Sequence, residues 1–338
     1  MPRIADLSIS LPVLAAPMAG GPTTPALVTA AAAAGSLGLL AGGYRDPAQL
    51  AEQVREVRSG TATFGLNLFA PNPIPVDPAA YTDYALELAP GARRFGAALP
   101  ARPVEDDDGW PDKLDLLLSD PVPLVSFTFG LPPTDAIRAL RRAGSAIAQT
   151  VTTASEARWA QDVGVDLLIV QGPGAGGHSA VFDPTAAAVP APLTEAVRGV
   201  RATTRIPVIA AGGVADATDV AELLHAGATA VAVGTALLLA DEAGTSAVHR
   251  RAIAEHPGPT RMTRAFTGRP ARGLVNDFMA RFDEQAPLGY PALHHLTAPL
   301  RRAAAAAGDP GWVHLWAGTG HRAVVPGPVA DILARLAV

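Results

Sequence analysis

The sequence contains no cysteine among its 338 residues and a single lysine, Lys113. The absence of cysteine excludes disulfides, iron–sulfur clusters, thiolate zinc sites and thiol nucleophiles, and with them any barrel dehydrogenase that needs a catalytic cysteine. One lysine leaves little basis for a Schiff-base cofactor or for a phosphate loop of the GxxxxGK[ST] type. A redox enzyme of this composition therefore needs a bound organic electron carrier.

A large excess of one charge and long apolar runs are also missing. The formal net charge is −5 and the charges are interspersed, so the basic face that binds a nucleic-acid backbone is absent and no nucleic-acid partner is expected. No apolar run approaches the roughly 18 residues of a membrane span. The first 21 residues resemble an export signal, but Asp6, Pro12 and Pro17 interrupt it. We expect a cytoplasmic protein without membrane contact.

What the chain does have is apolar strands that alternate with alanine-rich helices, in a sequence with 49% hydrophobic residues, 33 glycines and 32 prolines. Eight short apolar runs are candidate strands: 13–16, 37–41, 64–68, 124–127, 146–150, 167–171, 208–211 and 230–233. Six helices are predicted between them: 25–34, 47–58, 134–143, 154–163, 192–203 and 217–226. Eight repeated βα units predict an α/β fold of the (β/α)₈ TIM-barrel type.

Two segments exceed what a barrel needs. Residues 70–122 are rich in proline and acidic residues and are interpreted as an insertion, in which the acidic run 105–108 forms a solvated loop. We predict that residues 1–240 form the barrel with this insertion. We predict that residues 241–338 contain the last barrel helix, followed by a helical subdomain that covers the C-terminal face, where barrel active sites lie.

The strongest local signal consists of two strand–glycine–helix units in succession, at the seventh and eighth candidate strands. The first strand ends in Gly212 and Gly213, and the second ends in Gly234 and Thr235. Glycine allows backbone N–H groups to approach an anion closely, so these turns predict a phosphate site. Tight turns without a ligand are the alternative, and the phosphate belongs to either a cofactor or a substrate.

A second signal follows the sixth candidate strand, in the segment QGPGAGGHSA. Gln171 ends the strand, and its amide can donate and accept hydrogen bonds at the edge of a heterocycle. A glycine loop that includes Gly176 and Gly177 then leads to His178, and such a loop can fold over a planar ring. The position at the catalytic end of a barrel strand makes His178 the best candidate among the eight histidines for acid–base chemistry.

Met18 after the first strand and Asn67 at the end of the third are expected on the same face as Gln171. Methionine can be simple core filler, but an amide that leaves an apolar strand requires hydrogen-bond partners. Polar or glycine-rich ends of several strands at one rim favour a planar cofactor with a phosphate tail. No GxGxxG motif opens a βαβ unit for a pyrophosphate, which favours FMN over FAD or NAD.

These segments, together with LAAPMAGGPTTPALV, FGLNLFAPNP, FTGRPARGLVNDFM and YPALHHLTAPLR, resemble the nitronate monooxygenases, a family of FMN-dependent barrels formerly called 2-nitropropane dioxygenases. The resemblance implies that His178 is the catalytic base. It implies FMN contacts at Met18, Asn67, Gln171, Gly176, Gly213, Ala232, Val233, Gly234 and Thr235, to which the glycine turns add Gly177 and Gly212. The family loop usually reads QGxEAGGHxG, whereas this chain has Gly174 and Ala180 at the positions of the glutamate and the last glycine.

The resemblance further implies the oxidation of nitroalkanes or alkyl nitronates by O₂, with FMN as the electron acceptor. The partners are then a small molecule with an acidic C–H bond and O₂, and the protein is a monomer or a homodimer. Two alternatives remain open from the sequence. One is an FMN-dependent enoyl thioester reductase that consumes NAD(P)H, and the other is a flavin-binding barrel without turnover.

Overall fold

A computed structural model describes residues 9–186, 191–255 and 258–337 of the chain. The first eight residues of the export-like segment, including Arg3 and Asp6, lie outside the described residues. Within the described ranges, no helix combines the length and the apolar character that a membrane crossing requires.

Parallel strands form the centre of the molecule. The strands are β1 (Val13–Ala15), β2 (Leu39–Ala41), β3 (Gly65–Phe69), β4 (Leu124–Thr128), β5 (Ala146–Val151), β6 (Leu167–Gln171), β7 (Gly177–His178), β8 (Val208–Ala211), β9 (Ala230–Val233), β10 (Thr260–Thr263) and β11 (Ala271–Leu274). In the described residues, eight of them pair in the order β1-β9-β8-β6-β5-β4-β3-β2. A parallel bridge between Ala15 and Gly38 brings the first and last strands of this order together. The predicted barrel is confirmed.

Helices surround the sheet. They are α1 (Pro25–Ala33), α2 (Pro47–Gly60), α3 (Pro78–Arg94), α4 (Trp110–Ser119), α5 (Thr134–Ala143), α6 (Ala154–Asp162), α7 (Leu193–Thr203), α8 (Ala217–His225), α9 (Ala247–Glu255), α10 (Asp277–Phe282), α11 (Ala292–Ala306) and α12 (Val329–Leu336). Local sequence explains several starts. Thr24 and Asp46 cap α1 and α2 through their side-chain oxygens, and a proline follows each cap.

A second core lies over one end of the barrel. It joins apolar residues of α3, α9, α10 and α11 to the segment 312–317, apart from the core between strands and outer helices. The helix that packs against β1, α1 and α8 is α12, at the end of the chain. The barrel helix that we expected directly after the last strand therefore comes after the covering helices. The division into a barrel and a covering subdomain stays a proposal.

A small antiparallel sheet was not predicted. It pairs β10 with β11 and β11 with β7, so that Ala271 lies opposite His178. Two-residue β7 is too short to show a periodic signal, and its partner lies far along the chain. This sheet attaches the loop after β6 to the covering segment.

The acidic run 105–108 is only partly the solvated loop that we expected. Glu105, Asp106 and Asp107 are exposed, but Asp108 is half-buried and its Oδ2 lies 2.7 Å from Nζ of Lys113. Oδ1 of Asp108 accepts the N–H of Tyr44 at 2.8 Å. The single lysine therefore has a structural ion pair.

Candidate active site

A cavity of about 300 Å³ lies at the carboxyl ends of the barrel strands. Its wall includes every residue that the sequence indicated as catalytic or cofactor-binding. These are Met18, Asn67, Gln171, Gly176, Gly177, His178, Gly212, Gly213, Ala232, Val233, Gly234 and Thr235. They converge because the strands are parallel, so that the ends of β3, β6, β8 and β9 meet at one rim.

One side of the cavity is built from backbone N–H groups. Among the described residues, none accepts a hydrogen bond from the N–H of Gly213, Val214, Gly234 or Thr235, and all four residues line the cavity. N–H groups without a protein partner are free to donate to a ligand in the cavity. The described lining contains no lysine or arginine, so an anion on this side would be held by backbone donors alone.

Three backbone segments pack closely around these donors. Gly212 has φ +110°, and a Cβ atom there would lie 2.7 Å from Cβ of Ala175. Thr319 donates its N–H to the carbonyl oxygen of Gly174 at 2.9 Å, and a Cβ on Gly174 would lie 3.0 Å from Cα of Gly213. A side chain at position 174 therefore requires a shift of the present packing.

Two amide side chains line the cavity, one on β3 and one on β6, with β4 and β5 between these strands. Nδ2 of Asn67 donates to Oγ of Ser126 at 2.9 Å and to Oγ1 of Thr128 at 3.0 Å, and no described residue donates to its Oδ1. Gln171 uses both ends of its amide on the histidine loop. Its Nε2 donates to the carbonyl oxygen of His178 at 3.1 Å, and its Oε1 accepts the N–H of Ala180 at 2.8 Å. Gln171 thus positions the loop that carries His178.

The imidazole of His178 is held between Thr267 and a group of rings. Its Nε2 lies 2.9 Å from Oγ1 of Thr267, whose hydroxyl also donates to the carbonyl oxygen of Arg269 at 3.2 Å. When the single hydrogen of that hydroxyl is donated to Arg269, Nε2–H of His178 is the donor to Thr267 and the lone pair is on Nδ1. Among the described residues, none bonds to Nδ1. The ring centroid lies 5.6 Å from that of Trp316.

The surroundings favour the neutral imidazole. Burial, and next the charges of Arg269 and Arg301, lower the pKa of His178 to about 3. The ring is therefore neutral across the physiological pH range. Its lone pair is available as an acceptor without a prior loss of a proton.

Several lining residues gave no clear signal in the sequence. Tyr44 and Phe129 have φ values of 64° and 84°, and both line the cavity. Non-glycine residues in this region cluster at functional sites. His249, His314 and Trp316 join the lining from the covering segment, and a sequence search could find them only as aromatic residues left over from the barrel.

Two arginines are buried beside the cavity. The guanidinium of Arg269 lies 4.0 Å from the centroid of Phe129 and bonds to the carbonyl oxygens of Ser179 and Val181. Arg301 donates from Nη1 to Nδ1 of His314 at 3.0 Å. Burial is the main cause that lowers the pKa of each arginine to about 10, so both stay charged at neutral pH.

The buried histidines predict that the protein loses stability in weak acid. Burial lowers the pKa to about 3 for His178, to about 4 for His249, and well below 6.5 for His294 and His314. These rings gain protons in the unfolded chain as the pH falls below 6.5, while the folded state keeps them neutral. The stabilisation is complete above pH 6.5 and decreases towards pH 4, by up to about 1.4 kcal/mol per pH unit for each histidine.

Denaturant unfolding at pH 7.5, 6.5 and 5.5 measures this slope. His249→Asn should make the slope shallower, whereas His225→Asn, on the exposed face of α8, should leave it unchanged. An unfolding free energy that is constant over this range would contradict the assignment of neutral buried imidazoles.

Comparisons with known proteins identify the family of the chain. A family model described as Nitronate monooxygenase matches residues 2–338. The nitronate monooxygenase of Pseudomonas aeruginosa (strain PAO1) is 36% identical over 350 aligned positions that cover 98% of this chain and 96% of the relative. A probable nitronate monooxygenase of Bacillus subtilis (strain 168) is 35% identical over 94% of this chain and 92% of its own length.

Solved structures show the same relation. Nitroalkane oxidase from Streptomyces ansochromogenes superimposes with a TM-score of 0.93 at 42% identity, covering 99% of this chain and 96% of that chain. FabK from Thermotoga maritima matches less closely, with a TM-score of 0.75 at 27% identity over 99% of this chain and 94% of that chain.

Proposed function

Since the chain belongs to the nitronate monooxygenase family and is an enzyme of that family, we propose that it oxidises nitroalkanes or alkyl nitronates with FMN as its cofactor and O₂ as its oxidant. The observation that supports this proposal most directly is the shared cavity. A neutral imidazole and two glycine turns with unpaired N–H groups line the same cavity of about 300 Å³.

The residues present fit FMN. The N–H groups of Gly213, Val214, Gly234 and Thr235 would hold the phosphate, since they are donors without acceptors in the described protein. The free Oδ1 of Asn67 would accept a hydrogen bond from the edge of the ring system. When bound, FMN supplies an electron acceptor beside the substrate.

His178 is the proposed general base. Its Nδ1 would take the proton from the carbon next to the nitro group. Its Nε2–H would meanwhile stay hydrogen-bonded to Oγ1 of Thr267. A low pKa weakens the driving force for this transfer, but it keeps the imidazole unprotonated at every pH well above 3. A preformed nitronate has already lost this proton and needs the imidazole less.

Aromatic rings shape the space around the base. The rings of Phe129 and Tyr290 both lie 5.7 Å from the imidazole of His178, edge-on to it, with Trp316 beside them. These side chains exclude bulk water from the reacting carbon and keep the imidazole in one orientation. In the proposed reaction, oxidation of the nitronate by O₂ gives a carbonyl compound and an oxidised nitrogen species.

Identification of the released chromophore and assay of two substrate classes test the proposal together. Denatured protein should release FMN, and the native protein should consume O₂ with nitroethane or ethylnitronate. Rapid anaerobic bleaching of the flavin by NAD(P)H, without oxidation of either nitro compound, would instead favour the enoyl thioester reductase. Release of FAD, or failure to bind added FMN, would refute the cofactor assignment.

Thr267→Val should lower kcat for neutral nitroalkanes by about 10-fold, because the imidazole loses the acceptor that fixes its tautomer. FMN content and activity on the preformed nitronate should change much less, and Thr267→Ser, which keeps the hydroxyl, should restore most of the activity. Equal losses on the two substrates would show that Thr267 supports the packing of the site and not the tautomer of the base.

A further inference from the structure

A buried guanidinium without a carboxylate lies behind the cavity wall. Arg301, on α11, is only 5% exposed. Its Nε donates to Oγ1 of Thr297 at 3.0 Å, its Nη2 donates to the carbonyl oxygen of His294 at 2.9 Å, and its Nη1 donates to His314. All of these acceptors are neutral. Among the described residues, no carboxylate forms an ion pair with Arg301.

The neighbouring acidic residues have other partners. Asp108 pairs with Lys113, and Asp106 pairs with His295, whose Nε2 lies 2.8 Å from its carboxylate. The next residue of the helix, Arg302, adds a further positive charge and is exposed. The charge of Arg301 is therefore not neutralised by the described protein, and a buried charge in this state is costly unless a ligand compensates it.

Two contacts connect this charge to the cavity. His314, which accepts from Arg301, lines the cavity directly. His294, whose carbonyl oxygen accepts from Arg301, stacks on the ring of Tyr44 with centroids 4.2 Å apart and an interplanar angle of 2°, and Tyr44 also lines the cavity. The guanidinium thus lies one layer behind the surface that a ligand touches.

We propose that Arg301 is a specificity-determining residue, whose unneutralised charge behind His314 makes the cavity favour ligands that are anionic, or become anionic, over neutral ones. The inference deepens the proposed function, because a nitronate is an anion and a nitroalkane becomes one when His178 takes its proton. Arg301 acts through His314 and Tyr44, so it is a positioning and electrostatic residue and not a catalytic one.

Calorimetric titration with two small probes tests the inference without turnover. Nitrate is a planar anion with the O–N–O group of a nitronate, and 2-methyl-2-nitropropane is a neutral nitro compound without an α-hydrogen. Arg301→Gln should weaken nitrate binding by about 10-fold or more and binding of the neutral probe by less than about 3-fold. Arg301→Lys, which keeps the charge, should bind nitrate within about 3-fold of the wild type.

Arg302→Gln is the matched control, since it removes the same charge from the adjacent, exposed position of the helix. If Arg301→Gln does not fold, Arg301→Met gives the same comparison, because an apolar side chain leaves no buried charge to compensate. Equal weakening of both probes, unchanged nitrate binding, or the same effect in Arg302→Gln would overturn the inference.

These outcomes are separable from the proposed function. Nitrate binding that depends on Arg301, in a protein that oxidises no nitro compound, would support the inference and refute the proposed function. If the protein oxidises nitronates but Arg301→Gln does not change nitrate binding, the proposed function is supported and the inference about Arg301 is refuted.

Discussion

Replacement of His178 by asparagine should lower kcat/KM for neutral nitroalkanes by about 10²- to 10⁴-fold, while FMN stays bound. Asparagine is polar and can form hydrogen bonds in the loop, but its amide cannot take up a proton from the substrate. On a preformed nitronate, the loss should be much smaller. The ratio of the two losses, from steady-state O₂ consumption with each substrate, measures the contribution of base catalysis.

His225→Asn is a suitable control, because His225 is exposed on α8 and is not part of the cavity wall.

In the wild type, kcat/KM for neutral nitroalkanes should show no loss due to protonation of His178 between pH 8 and pH 5, since the pKa of the imidazole is about 3. Equal losses of His178→Asn on both substrate forms would assign His178 to binding of the nitronate. Undiminished activity of His178→Asn on both substrate forms would show that His178 takes no part in the mechanism.

Replacement of Gly234 by aspartate should weaken FMN binding by about 10²-fold or more, because a carboxylate next to the N–H cradle repels the phosphate. The position accommodates a side chain, since a Cβ atom there would meet Met18 only at an ordinary contact distance of 3.5 Å. The barrel should therefore stay folded. The dissociation constant of FMN, from titration of the protein after flavin removal, provides the measurement.

Gly234→Asn is the matched comparison, because it has almost the same shape without the charge. Gly199→Asp, on the exposed face of α7, adds the same charge far from the cavity and should leave FMN binding unchanged. Gly213→Asp should act in the same direction, with added backbone strain, since Gly213 has φ +82°. Full flavin occupancy in Gly234→Asp would place the phosphate elsewhere.

The ends of the barrel strands account for most of what could be predicted about the site. Gln171 ends an apolar strand, Gly213 and Gly234 follow closely after two others, and Asn67, expected at the end of its strand, is the middle residue of β3; such apolar runs are visible in the sequence. Parallel strands of one barrel bring their carboxyl ends together whatever the details of packing. That these residues line one cavity therefore follows from the fold class. Their roles toward FMN stay predictions.

The covering segment could not be predicted in the same way. The pairing of His178 with Ala271 joins a two-residue strand to a distant one, and Arg301 meets His314 across a turn between helical elements. Neither contact follows from a local period or a turn motif, because only long-range packing decides which side chains of the covering helices face the cavity. The local sequence pattern also gives no indication that α12, and not an earlier helix, completes the barrel.

The sequence by itself determined the barrel and the rim at which its polar residues meet, and it indicated His178, among eight histidines, as the candidate base. It did so because these features depend on strand order and strand ends, which local patterns encode. Only the tertiary structure decided that burial favours the neutral imidazole, that its Nε2 contacts Thr267, and that an unneutralised arginine lies behind the cavity. These properties depend on burial and on neighbours from distant segments, and the free energy of a charge or a proton is set by that environment.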